Sequence, residues 1–339
     1  MVSSTHTSYN ASDRSYYAII KKEAHAMAHA ADFPARRVAE LDIVIAELTS
    51  NLNKHADHGE ILLGYFREAH NEYIEIICID DGPGMAEPKK MARDGFSSTN
   101  TLGHGLGSIK RFSDKFDIYS QKGWGTIVLS RIYKKPLAKT RAKGSIEVRK
   151  LVICKPGEAV SGDGFFCWAD EKKAKLMLAD GLGHGPDANL AMNGAINALN
   201  ACTFDRPVEI LRFVHNFIRK TRGVVATVIT MDFEQNTFNI AGIGNIATKL
   251  VGGSNSRNHL SYNGIVGHTI PNTMNEQPMN FNDYQQFIMC SDGIRSRWDL
   301  AKYPGIQKHD LAVQAAAIYK DFARRNDDMS VAIIKVIPK

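Results

Sequence analysis

Residues 173–186 read KAKLMLADGLGHGP, and the reading of this stretch decides the back half of the chain. The apolar run Leu176–Ala179 ends on Asp180, and glycines at 181, 183 and 185 then break the pattern before a helix expected over about Pro186 to Ala201. A short apolar run closed by turn residues is the signature of a buried strand. Asp180 therefore sits at a strand end. Three more aspartates hold comparable places: Asp163 in SGDGFF, Asp292 in FIMCSDGI and Asp327 in RRNDDMSVAII.

A single Asp-Gly pair is ordinarily only a turn. Two such pairs ending apolar strands, with a third carboxylate just ahead of an apolar strand, suit convergence at one site. Oxygen-only ligands select hard Mg²⁺ or Mn²⁺. Paired ions of this kind hold a hydroxide and neutralise phosphate oxygens during in-line attack. The surrounding runs, including VVATVITMDF, TFNIAGIG, ATKLVGG, YQQFIMCSDG and MSVAIIKVI, predict strands, and a second helix is expected near Val208 to Thr221. The back half is expected to be a mixed α+β domain with a strand-rich core.

In this order, SGDGFF, LADGLGHG, IMCSDGI and NDDMSVAIIK resemble the motifs of PP2C-type phosphatases of the SpoIIE branch, over about residues 146 to 337. The resemblance is strongest to small stressosome feedback phosphatases. It implies an α/β/β/α sandwich with two Mg²⁺ or Mn²⁺ ions. Asp180 would bridge them, the Gly181 carbonyl would be a ligand, Asp292 and Asp327 would hold the second ion, and Asp163 would act through water. Asp328, where the family often has asparagine, ranks below Asp327. His184 reads as a helix-start residue rather than a general acid. The phosphate-binding arginine of many eukaryotic relatives has no counterpart in the sequence.

The front half opens with two helical stretches, residues 16 to 31 and Arg37 to Ala56, the second with Val38, Leu41, Val44, Ile45, Leu48 and Leu52 at helical spacing. Glu47, Asn51 and His55, four apart, share one face. Alone, that stripe is an ordinary solvated face. ILLGYFRE and EYIEIICID predict a hairpin of strands turning at His70-Asn71-Glu72, and the second strand ends on Asp80 before a DGPG turn. Gly95, Gly103, Gly105 and Gly107 then precede a helix, a setting for phosphate oxygens on backbone amides.

ELTSNLNKHA, DDGPGM, SSTNTLGHGLG and SQKGWGT, in this order over about residues 15 to 133, resemble the GHKL ATPase superfamily, most closely its serine-kinase and anti-sigma branch of the stressosome switch-kinase type. The resemblance implies a Bergerat-type α/β sandwich binding ATP and Mg²⁺. Asn51 would hold Mg²⁺, Asp80 would receive the adenine amino group, and Glu47 would be the general base for a serine or threonine hydroxyl. Gly82, Gly84, Ser98, Thr99, Gly103, Gly105, Gly107 and Thr126 would complete the nucleotide site. His104 inside the glycine lid departs from the smaller or aliphatic residue usual there. His25 and His29 lack the context of a histidine-kinase phosphoacceptor.

The chain of 339 residues has room for two cores. The divisions expected are 1–133 for the ATP-binding domain, 134–145 for a linker in the basic stretch YKKPLAKTRAKGS, and 146–339 for the phosphatase domain. The net charge of +6 is spread along the chain, which argues against nucleic acid as partner. No run of about eighteen apolar residues or signal-like start occurs, which predicts a cytoplasmic chain with no membrane association. Cys78, Cys154, Cys167, Cys202 and Cys290 form no C-x-x-C pair and read as reduced thiols.

By resemblance, the partners are STAS-domain anti-sigma antagonists or stressosome-type phosphoproteins, with a sigma factor or other output protein as a further candidate. Opposing kinase and phosphatase activities in one chain imply gating. Two other assignments share these motifs: a partner-sequestering anti-sigma-type module, and a phosphatase regulated by nucleotide without kinase activity.

Overall fold

The computed structural model describes residues 5–11, 13, 15–56, 58–68, 71–91, 105–136, 145–253 and 255–337. They form two compact units, one of Met1–Thr5, Ala142–Asp299 and Asp321–Lys339, the other of His6–Arg141 and Leu300–Lys320. The unit boundaries differ from a division at the basic stretch in two respects, the first being that Met1–Thr5 goes with the back unit. Second, Leu300–Lys320, in the back half of the sequence, belongs to the front unit.

The front unit runs β1 (Thr7–Asn10), α1 (Ser15–Ala30), α2 (Ala35–His55), β2 (Gly59–Glu68), β3 (Asn71–Asp80), α3 (Pro88–Met91), α4 (Gly105–Phe112), β4 (Lys115–Gln121) and β5 (Gly125–Tyr133). Its antiparallel sheet has the order β1-β2-β3-β5-β4. Strand residues alternate between faces. Ile74, Ile76 and Cys78 of β3 pack with Leu41, Val44, Leu48 and Leu52 of α2 and with Ile20, Ala24 and Ala28 of α1. The opposite row of β3 carries Tyr73 and Glu75. There Glu75 pairs with Arg131 and accepts His6 Nε2 at 2.9 Å, and Arg131, 0% exposed, donates to Asp310 at 2.7 and 2.9 Å. Tyr319 Oη donates to Glu60 at 2.6 Å, and His309 and the Asp310 amide meet Asp117 at 2.9 and 2.8 Å. These bonds fasten Leu300–Lys320 to the sheet face that the α2 layer leaves uncovered.

The back unit contains β6 (Ile146–Ile153), β7 (Asp163–Ala169), β8 (Lys173–Gly181), α5 (Pro186–Ala201), α6 (Pro207–Phe217), β9 (Val224–Asp232), β10 (Thr237–Ile243), β11 (Ala247–Val251), β12 (Ser256–His259), β13 (Met279–Asn280), β14 (Gln286–Cys290) and β15 (Met329–Val336). Two five-stranded sheets, β13-β10-β9-β8-β7 and β12-β11-β14-β15-β6, enclose a core of Phe165, Leu176, Leu178, Ile229, Phe238, Phe287, Met289, Ala332 and Ile334. A second core, with Met177, Ala179, Ala191, Ala195, Leu211 and Val214, joins α5 and α6 to the outer face of the first sheet. The chain is thus a two-domain α+β protein. The second predicted back-half helix ends at Phe217, four residues before Thr221. Another helix, α7 (Leu311–Phe322), lies in sequence between β14 and β15, where the sequence reading places no helix.

Candidate functional sites

In the front unit, Asp80 continues the Ile74-Ile76-Cys78 row, so strand alternation brings its carboxylate to the α2 side of the sheet. Its Oδ1 accepts the Gly82 amide at 2.8 Å and the Thr126 amide at 3.1 Å, from the partner strand residue across the ladder. Burial pushes the Asp80 carboxyl above its ordinary range, and these two amides oppose the shift. Gly125, at φ 115°, lies where a Cβ would strike the Asp80 carbonyl, so only glycine lets β5 approach here. Ser120 Oγ accepts the Met85 amide at 2.8 Å and meets Thr126 Oγ1 at 3.0 Å, which fixes the turn containing Gly82 and Gly84.

Glu47 and Asn51 are partly exposed on α2. The start of α4 comes up against both: a Cβ on Gly105 would stand 3.2 Å from Asn51 Oδ1 and 3.6 Å from Glu47 Oε2. The structure therefore gathers Glu47, Asn51 and Gly105 on one side and Asp80, Gly82, Gly84 and Thr126 at the adjoining strand ends. Gly107 is buried within α4. Ser98, Thr99 and Gly103, with His104 and Gly95, lie outside the described residues. Sequence reasoning missed Lys320. Its ammonium pairs with Asp81 and lies 5.0 Å from the Trp124 ring, holding the outer side of the Asp80–Gly84 turn. Nothing in local sequence ties residue 320 to residue 81.

In the back unit, Asp163 and Asp180 face each other across the β7–β8 ladder. They continue the Phe165 and Leu178 rows that face the other sheet, so both carboxylates emerge at one end of the core between the sheets. Asp163 is 1% exposed, and its Oδ2 receives the hydroxyls of Ser291 at 2.6 Å and Ser330 at 2.7 Å from the opposite sheet. Its Oδ1 is buried and has no hydrogen-bond partner among the described residues. Burial raises the Asp163 carboxyl to about 7. Asp180 is pushed well above its ordinary range by burial and then by the charges of Asp163, Asp292, Asp327 and Asp328. Such crowding of carboxylates is the condition a cation relieves.

Asp292 Oδ2 accepts the Asn245 amide at 3.0 Å and is otherwise at the surface. Asp327 and Asp328 differ in kind. Each oxygen of Asp328 is taken by a backbone amide, from Lys155 and from Gly162, both at 2.8 Å, whereas among the described residues Asp327 accepts only the amide of its neighbour at 2.9 Å. Asp328 thus closes two loops, and Asp327 retains acceptor capacity. Gly181 is buried, and a Cβ there would stand 2.3 Å from the Ala188 carbonyl oxygen in α5. Among the described residues no three His, Cys, Asp or Glu side chains meet in single-ion geometry. A Mg²⁺-type ion, which keeps several waters and takes one or two carboxylates, does not require three. The orphaned Asp163 oxygen and the crowding around Asp180 fit divalent ions. Ser291, Ser330 and Asn245 were not foreseen, although the two serines stand beside the aspartate motifs.

This fold and these sites define the class: an ATPase-type α/β sandwich followed by a two-sheet, carboxylate-centred phosphatase-type domain. The family model of the histidine kinase-like ATPase domain matches residues 10–132, and that of stage II sporulation protein E (SpoIIE) matches residues 170–337. The chain joins a domain of each family. It is similar to the serine/threonine-protein kinase RsbT of Bacillus subtilis, 35% identical over 88 residues, 26% of this chain and 66% of RsbT. It is also similar to the phosphoserine phosphatase RsbX of that organism, 34% identical over 93 residues, 27% of this chain and 46% of RsbX. A solved chain reported for the bacterial stressosome, as a modular system adapted to control secondary messenger signalling, matches with a TM-score of 0.51 at 28% identity, covering 56% of this chain and 99% of that one. Among the described residues no helix is long and apolar enough to cross a membrane.

Proposed function

We propose that the chain is a signalling switch whose back unit removes phosphate from serine or threonine of a regulatory protein and whose front unit transfers phosphate from ATP to such a residue. The observation that carries the reading is the group of carboxylates at the end of the inter-sheet core, built around Asp163 with its unpartnered oxygen. Similarity to RsbX and to the SpoIIE family supports the phosphatase assignment, and similarity to RsbT supports the kinase assignment.

In the back unit Asp180, with the Gly181 carbonyl, Asp292 and Asp327 would hold two Mg²⁺ or Mn²⁺ ions, with Asp163 acting through water. Bound ions would supply a nucleophilic hydroxide and charge neutralisation. Ser291 and Ser330 orient Asp163, and Asp328 holds the Lys155 and Gly162 loops around the site. In the front unit Asp80 would accept the adenine amino group, and Asn51 would hold the Mg²⁺ that accompanies ATP. Glu47, one helical turn from Asn51, would take the proton of the acceptor hydroxyl. Gly82, Gly84, Gly105, Gly107 and Thr126, with Ser98, Thr99 and Gly103, would line the nucleotide. The protein substrates are STAS-domain or stressosome-type phosphoproteins, with a sigma factor or another output protein as a further partner, and the chain works in the cytoplasm.

The direct test is hydrolysis of p-nitrophenyl phosphate by the full chain with Mn²⁺ and with a chelator. Metal-dependent turnover that Asp180→Asn removes is expected. Turnover that survives both the chelator and Asp180→Asn would overturn the assignment.

A further inference from the structure

The turns that carry Asp292 and Asp327 continue into two segments that run side by side. The Arg295 amide donates to the Phe322 carbonyl at 2.9 Å, the Arg324 amide donates to the Gly293 carbonyl at 2.8 Å, and Ile294 faces Ala323 across an antiparallel bridge. Partners across a bridge share a face and neighbours along the strand alternate. Ile294 points inward and is 1% exposed. Arg295, Phe322 and Arg324 consequently leave the ladder together on the other face. With Ser296, Arg297 and Asp321 they line a cavity of about 310 Å³.

Three guanidinium groups stand there against one carboxylate. Arg295, Arg297 and Arg324 are all exposed, and none has an ion-pair partner among the described residues. Two other arginines of this unit are engaged, Arg206 with Glu276 and Arg222 with Asp187. A guanidinium fork matches a carboxylate with two parallel hydrogen bonds, and an aromatic floor such as Phe322 supports a stacked side chain. The chemistry favoured is a short acidic peptide segment.

Placement relates the cavity to the carboxylate site. Arg295 follows Asp292 by three residues, and Arg324 precedes Asp327 by three. Three residues of extended chain span about 10 Å at most. A substrate peptide lying along this edge would cover the same distance in about three residues. We infer that the Arg295–Arg297–Arg324 cavity docks acidic residues about three positions from the phosphorylated serine or threonine of the protein substrate. The inference rests on the phosphatase reading of the back unit.

The test uses the full chain with Mn²⁺, p-nitrophenyl phosphate, and two phosphoserine peptides that carry either glutamates or lysines three and four residues from the phosphoserine. Wild type should favour the acidic peptide by about tenfold in kcat/KM, mostly through KM, as two exposed charge pairs would give. Arg295→Glu/Arg324→Glu should reverse the preference while leaving turnover of p-nitrophenyl phosphate unchanged. Equal use of the two peptides by wild type, or an acidic preference that survives the double substitution, would overturn the docking site. Absence of p-nitrophenyl phosphate turnover in wild type would instead overturn the phosphatase reading. Fluorescence polarisation of the labelled acidic peptide then tests the cavity by itself, with binding lost in the double variant expected and unchanged binding contradicting it. Tighter binding of a single-stranded oligonucleotide, lost in that variant while peptide binding persists, would assign the cavity to nucleic acid and overturn the inference.

Discussion

Replacing Arg131 by methionine should destabilise the front unit more than any surface change. The guanidinium is wholly buried, ion-paired to Glu75 and bonded twice to Asp310. Removing it strands the Glu75 carboxylate in the core. That carboxyl is raised by burial but held below its ordinary range overall by Arg131 and His6. Breaking one side of a buried pair costs about 3–5 kcal/mol, a large share of a typical domain's 5–15 kcal/mol. Asp310→Ala should cost somewhat less, about 3 kcal/mol, because Arg131 keeps Glu75 although its two bonds to Asp310 and the bond from the Ala312 amide are lost. The informative readout is hydrogen exchange by mass spectrometry under mild urea. Both variants should lower protection in β2, β3 and β5, although Asp310 lies far along the back half of the sequence. Loss of protection confined to β6–β15 after Asp310→Ala would refute the assignment of Leu300–Lys320 to the front unit.

Glu47→Gln should keep ATP affinity, measured by calorimetry, and lower phosphoryl transfer about 10²–10⁴-fold, the usual worth of a general base. Ser291→Ala should cost about 1–3 kcal/mol in urea unfolding of the back unit, since it removes a donor from the buried Asp163. Mn²⁺ should raise the melting temperature of wild type and do so much less for Asp180→Asn, because an ion relieves the carboxylate crowding; equal shifts in both would argue against ligation by Asp180. Burial lowers His259 to about 4, and its Nε2 has no partner among the described residues. The folded state therefore favours the neutral ring, so its contribution is complete above about pH 6.5 and is lost as pH falls from there towards 4. His259→Gln should flatten unfolding free energy across that window.

The placement of much of both candidate sites is legible in the sequence because their residues end strands whose apolar alternation is strong. Asp80 and Asp180 each close a run whose parity also fixes the face on which the carboxylate emerges. The helix α7 was not legible for the opposite reason: Leu311 to Tyr319 are all buried, so the segment has no polar face and no helical period to read. Lys320, Asp310 and Tyr319 act on partners more than 170 residues away, which spacing cannot reveal. The order of Asp327 over Asp328 rests on resemblance alone, and that backbone amides occupy both oxygens of Asp328 could not be read from two adjacent aspartates.

Two opposed activities in one chain can be separated by incubating the protein with γ-labelled ATP, Mg²⁺ or Mn²⁺ and a STAS-domain protein. Label should accumulate on the STAS protein with Asp180→Asn, be removed by wild type, and vanish when Glu47→Gln is added to Asp180→Asn. ATP binding without label in any variant would contradict kinase activity towards that substrate and leave a nucleotide-regulated phosphatase.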